Sequence, residues 1–148
     1  VFPWKKPNPA PSVSSDFLPW TLDLQIGIKQ FDLEHREMVD IVNRLHTLMV
    51  VKRDRLGADQ LTEDLVRVTR THFTNEEALL AELGYPECEA HFREHSNLIE
   101  ELRDLQRQFR DGTISALVTP KFLKKWLLEH LEHTDRKYVA FLRSKGIR

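Results

Sequence analysis

Apolar residues recur three and four positions apart through four stretches of this chain, the period of helices with one buried face. The first stretch runs from about Asp32 to Lys52, with Met38, Val42, Leu45 and Met49 on one stripe and Gly57 shortly beyond. The second runs from about Asp59 to Leu83, where Leu61, Leu65, Val68, Leu79 and Leu83 share a face and Gly84 is the natural stop. Pro86 suits the first position of the third helix, which carries Leu98, Leu102, Leu105 and Phe109 before Gly112 ends it. The fourth opens on Thr119-Pro120, read as a cap followed by Pro at the first helical position. Its inner face holds Phe122, Leu123, Trp126, Leu127, Leu131, Tyr138, Phe141 and Leu142. Four such helices with short connections predict an all-α, antiparallel up-down-up-down four-helix bundle.

Two segments precede the helices. Residues 1–16 hold four prolines and three serines without an apolar period, which reads as an extended N-terminal arm or an interdomain linker. Phe17 to Phe31 alternates Trp20, Leu22, Leu24, Ile26 and Ile28, but an isolated strand beside four helices has no partner. It is expected as an extended segment packed over one end of the bundle. The bundle domain thus spans residues 17–148.

Composition narrows the class. With 148 residues, 41% of them hydrophobic and 30% charged, the chain has enough material for one sizeable core. A net charge of -1 with both signs interspersed recommends no nucleic-acid partner. No apolar run approaches the length of a membrane span, and no membrane contact is expected of this domain. The single cysteine, Cys88, excludes an internal disulfide and suits a reducing, cytoplasmic compartment. The first residue is Val1, not Met, so a signalling domain upstream of Val1 is one expectation.

Seven polar residues change the picture. His35, His72, Glu76, His91, His95, His130 and Asp135 fall in phase with the leucine seams, not between them. His72 and Glu76 are four apart, as are His91 and His95, so each pair projects from one helical face. In an antiparallel bundle the starts of odd helices lie beside the ends of even ones, which brings all seven to one end. Burying them unpartnered would cost several kcal/mol per group, so metal ions are the economical explanation. Seven donors exceed one tetrahedral zinc and suit two metals with bridging carboxylates. Iron is the reading, although imidazole and carboxylate donors leave zinc and copper open. Five of the seven donors are neutral imidazoles, which favours reversible dioxygen chemistry over oxidation of a substrate.

These residues resemble a known family. The set D-x-x-H (Asp32–His35), H-F-x-x-E-E (His72–Glu77), Y-P…H-x-x-x-H (Tyr85–His95) and W-x-x-x-H-x-x-x-x-D (Trp126–Asp135) is similar to a bacterial hemerythrin domain, from about residue 20 to residue 143. The resemblance implies two iron ions, one held by His91, His95 and His130, the other by His35 and His72 with an open position for dioxygen. Glu76 and Asp135 would bridge them, with an oxo or hydroxo group as third bridge. It also implies that Trp126, Leu127 and Leu131 line a dry ligand pocket. Glu77 and Asp32 are read first as solvent-facing carboxylates and second as acceptors for imidazole N–H groups. His46 and His133 are read as non-ligands.

The functional expectation is a non-haem di-iron protein that binds dioxygen reversibly, as an oxygen or redox sensor module of a larger signalling protein or as an oxygen carrier or store. The alternative of another class is a di-iron enzyme, a peroxidase or nitric-oxide reductase with the same ligands. No evident acid/base residue beyond the seven favours catalysis. A metal-binding structural bundle without gas chemistry is the third reading.

Overall fold

The computed structural model describes residues 16–148. The predicted arm over residues 1–16 therefore lies outside the described residues, Asp16 apart. Four helical rods form the bundle. The first is α1 (Lys29–His46), continued by a π-helical segment over Thr47–Val51, and it is followed by α2 (Arg55–Glu82) and α3 (Cys88–Asp111). The fourth rod is α4 (Thr119–Glu129), a π turn at His130–Thr134, and α5 (Arg136–Ser144). Rod one packs on α2 and α4, and α3 packs on the same two, which closes the antiparallel ring.

The helix ends follow from local chemistry. Gly84 adopts φ 72°, and the N–H groups of Gly84 and Tyr85 donate to the carbonyls of Ala81 and Leu80. That is the Schellman closure, and Leu80 and Tyr85 complete it by packing in one apolar cluster. Gly112, at φ 73°, ends α3 in the same way with Thr113 and Gln108.

The helix starts differ from expectation in three places. Helix α2 begins at Arg55 because Asp54 caps it, accepting from the Gly57 N–H at 2.9 Å, so Gly57 lies inside its first turn. Pro86 is not the first helical residue. It takes the second position of a turn from Tyr85 to Cys88, closed by the Cys88 N–H on the Tyr85 carbonyl at 3.3 Å, a place where the fixed φ of proline is favourable. Thr119 is not a cap either: its hydroxyl turns back to the Ser115 carbonyl at 2.8 Å, and the preceding Val118 is already helical in backbone angles.

The segment before α1 runs along the bundle instead of sitting over one end. Leu18 exchanges backbone hydrogen bonds with the Asn43 side chain, while Ile26 and Ile28 reach the far end beside Tyr138 and Leu142. Asp32 fastens that end, its two oxygens accepting from the N–H groups of Ile26 and Gly27 at 2.8 and 3.0 Å. Among the described residues, buried side chains form two apolar clusters. The larger fills the bundle from Met38 to Leu131, and the smaller gathers Ile26, Ile28, Phe31, Leu80, Tyr85, Tyr138 and Leu142 at the end where α1 begins.

Candidate metal centre

Each rod delivers its donors from a seam position between the two apolar clusters. His35 stands on the second turn of α1, His72 and Glu76 on the second half of α2, and His91 and His95 near the start of α3. The fourth rod poses a harder problem. His130 and Asp135 are five residues apart, and on a straight α-helix that separation rotates a side chain about 140° off the first face. The π turn removes the conflict. The Asp135 N–H donates to the His130 carbonyl at 3.2 Å, an i to i+5 bond that admits one extra residue into the turn. Both side chains then meet inside the bundle, where the Asp135 and His130 polar atoms are 3.0 Å apart.

All seven are at most 3% exposed. Their inward atoms crowd around the two carboxylates. The Oδ2 of Asp135 lies 2.8 Å from the Nε2 of His35 and 3.0 Å from that of His130. Glu76 divides its oxygens: Oε1 is 3.3 Å from the Nε2 of His72, and Oε2 is 3.3 and 3.1 Å from those of His91 and His95. One carboxylate therefore faces both sides of the site, the geometry of a bridge.

The donors fall into two groups whose atoms lie within 4.8 Å of one another: His35, His72, His130 and Asp135, and Glu76, His91, His95 and Asp135. His130 here joins His35 and His72, whereas the resemblance places it with His91 and His95. Its ring is in fact central, 5.6 Å from that of His95, 5.8 Å from His72 and 5.9 Å from His35.

The fit to metal is chemical as well as geometric. The Nε2 atoms of His95 and His130 and both oxygens of Asp135 are buried without a hydrogen bond. The Nε2 atoms of His35 and His72 face each other at 2.9 Å. Inward lone pairs from this many groups need cations to hold them at such distances. In the protein without metal, protons take part of that role. Burial pushes the Glu76 and Asp135 carboxyls up, yet the surrounding imidazoles outweigh it and hold both well below the usual carboxylate range. Burial likewise opposes charge on His72, but Glu76, Asp135 and Glu34 hold its pKa well above the ordinary value. For His35 burial prevails and the pKa is lowered.

Three residues that support the donors were not among the sequence-predicted ligands. Glu34 accepts from the Nδ1 of His72 at 2.6 Å and is steadied by Asn75 at 2.8 Å. Glu77 accepts from the Nδ1 of His95 at 2.9 Å, so it is an imidazole acceptor and not simply a solvated carboxylate. Each bond places the proton on Nδ1 and leaves Nε2 as the inward donor. Tyr138 donates its hydroxyl to Glu76 Oε1. Asp32, by contrast, holds backbone and no imidazole. His46 stacks on Phe17 at 4.2 Å, and His133 is exposed, both outside the donor groups. Trp126, Leu127 and Leu131 are buried in the large cluster around His130, with the Trp126 indole N–H on the Leu98 carbonyl.

Comparison with known proteins agrees with this geometry. The family described as the hemerythrin HHE cation binding domain matches residues 26–142. A bacteriohemerythrin of Stenotrophomonas maltophilia is 32% identical over 122 residues, covering 82% of this chain and 79% of the relative. A myohemerythrin of Theromyzon tessulatum is 25% identical over 123 residues, covering 83% and 92%. Among solved structures, a wild-type hemerythrin crystal structure superposes with a TM-score of 0.74 at 27% identity, covering 84% of this chain and 96% of the other. From the matched residues, the bundle and the buried donor set together, the chain belongs to the hemerythrin family of cation-binding domains.

Proposed function

We propose that this centre holds two iron ions and binds dioxygen reversibly at an open metal position, without turning over an organic substrate. The observation that carries the reading is the buried donor set itself, five imidazoles and two carboxylates with Glu76 facing both halves. The names of the relatives, bacteriohemerythrin and myohemerythrin, point the same way. His91, His95 and His130 would hold one iron and His35 and His72 the other, which keeps the open position. Glu76 and Asp135 would bridge. Iron held there would supply the reversible electron donation that dioxygen binding needs.

The rest is the work of the protein. Glu34 and Glu77 fix the tautomers of His72 and His95, and the Tyr138 hydroxyl orients the Glu76 carboxylate. Trp126, Leu127 and Leu131 would wall the ligand space and exclude water, which limits proton entry and autoxidation. The same proposal places the domain in the reducing cytoplasm, as an oxygen or redox sensor module of a larger signalling protein or as a carrier or store.

Absorption spectroscopy tests the reading. The oxidised protein should show the near-ultraviolet bands of an oxo-bridged di-ferric centre. The reduced protein should develop a visible charge-transfer band in oxygen that disappears under vacuum. Steady turnover of peroxide or nitric oxide without a reversible band would make the protein an enzyme instead. Zinc alone in natively expressed protein would sink both.

The support of Glu34 is separately testable. Glu34→Ala frees the Nδ1 of His72 and is expected to weaken metal affinity about 10–100-fold, measured by competition with a chromophoric chelator. Glu63→Ala, which removes a surface partner of Arg103, should leave affinity unchanged.

A further inference from the structure

A metal ion reaches donors this deeply buried only by passing between helices. Two surface grooves end on a ligand imidazole. One lies between α2 and α3, about 430 Å³ in volume, with His95 at its floor beside Phe73 and Glu77. The other lies between α3 and the π turn, about 390 Å³ in volume, with His130 at its floor. Glu94, Glu101, Glu129, His133 and Lys137 line its walls.

The two floors differ in freedom. His95 is pinned, its Nδ1 bonded to Glu77 and its ring stacked face to face on Phe73 at 3.7 Å and 3°. His130 is 1% exposed, yet neither of its ring nitrogens makes a geometrically formed hydrogen bond, and its Nε2 meets only the inward Asp135 carboxylate at 3.0 Å. It is a buried imidazole with no outer partner to fix its ring, at the base of a groove. It also sits at the first residue of the π turn.

The walls differ in charge. Glu77 and Glu100 against Arg70 leave the α2 to α3 groove with one excess negative charge, whereas three carboxylates against the one ammonium of Lys137 leave the α3 to π-turn groove with two. Lys137 is committed to Glu94 at 2.8 Å, and Lys125 stands 3.8 Å from Glu129 while largely exposed. Glu101 and Glu129 remain available to a cation. His133, exposed and three residues from His130, offers an imidazole less than one turn away. A low-dielectric cleft lined with one sign of charge raises the local concentration of the opposite ion and its rate of arrival.

We propose that this groove is the loading port of the metal centre, taking up a divalent iron cation from solution. Glu101, Glu129 and His133 gather the hydrated ion, and His130 turns outward to receive it and carries it to the remaining donors. The proposal rests on the di-metal reading above. It involves no redox step: the ion enters as a dication, and water leaves its coordination shell.

The test is uptake of cobalt(II) by the metal-free protein, followed through the visible bands that appear on coordination. The triple variant E101Q/E129Q/H133Q is expected to load about tenfold more slowly at low ionic strength. Half-molar salt should shrink the difference towards unity. Final stoichiometry and the melting temperature of the loaded protein should match the unsubstituted protein, because none of the three residues is a final ligand. The double variant R70Q/E100Q, in the other groove, should load at the normal rate. Normal loading by the triple variant would overturn the port, as would equal slowing by the double variant. So would reduced occupancy with faster metal loss, which would make the groove part of the binding site. Unsubstituted protein that takes up no metal would overturn the port together with the di-metal reading, whereas two ions loaded equally fast by every variant would overturn the port alone.

Discussion

Glu76→Gln is expected to isolate with no more than one metal ion per chain, against two for the unsubstituted protein. Glu76 is the one carboxylate whose two oxygens face opposite halves of the donor set, Oε1 towards His72 and Oε2 towards His91 and His95. An amide of the same shape keeps one acceptor, replaces the other with an N–H, and removes a negative charge that two cations would share. Loss of an outer partner already weakens metal sites about 10–100-fold, and loss of a donor proposed to bridge both ions is expected to lie beyond that range. Metal analysis after gel filtration against a weak chelator would read the difference. Glu77→Gln serves as the comparison: it loosens His95 but deletes no inward donor, so two ions should remain bound more weakly. Full occupancy in Glu76→Gln would mean that Glu76 does not bridge the two ions.

Stripping the metal is expected to lower the melting temperature by roughly 8–16 °C. A ligand that binds only the folded state stabilises it by about 4 kcal/mol at a thousandfold excess over Kd. In a chain of this size about 1 kcal/mol corresponds to some 2–4 °C. The molecular source is visible in the unbonded atoms of His95, His130 and Asp135 and in the facing nitrogens of His35 and His72. Differential scanning calorimetry before and after chelation would measure the shift, and an unchanged temperature would mean that the site is not loaded at all.

Acid should sharpen the loss in the metal-free form. The depressed carboxyls of Glu76 and Asp135 contribute stability in full above their unfolded values, about 4. That contribution disappears as pH falls through their lowered folded values. His72 acts with the opposite sign: its raised pKa contributes below about 6.5 and loses that contribution as pH rises through the folded value. His35, lowered by burial, instead costs stability as pH falls below about 6.5, and there it partly offsets His72. Metal-free protein should therefore unfold steeply below about pH 4.

Much of this architecture was legible because helix period and metal chemistry select the same residues. Leu65, Val68, His72, Glu76 and Leu79 share one seam, and a polar residue on a seam announces itself. The supporting carboxylates do not. Glu34 precedes the candidate ligand His35 by one position and serves His72 on another helix, so nothing in its local spacing links them. Glu77 likewise reaches across to His95 on α3. Their roles are tertiary facts. The five-residue gap from His130 to Asp135 was a signal of a different kind, since a straight α-helix cannot place both inward. It marks the π turn, which the hydrophobic pattern alone leaves invisible because Leu131, Asp135, Tyr138 and Leu142 continue a perfectly good α period. Pro86 and Thr119 were misplaced for a common reason: each residue type favours a helix start, but neighbouring turns had prior use of them.

The division of the apolar interior into two clusters has a consequence for cooperativity. The donor set occupies the layer between them. With that layer cross-linked by metal, the small cluster of Ile26, Phe31, Leu80, Tyr138 and Leu142 is tied to the main body. Without it, a slab of crowded, partly charged groups separates them, and the end of the molecule becomes a candidate for opening on its own. Hydrogen exchange would register this as amides of α5 and the last turn of α2 exchanging faster than those of mid-α1 and mid-α3 after chelation. The ions would then act as a latch that converts two unequal folding units into one.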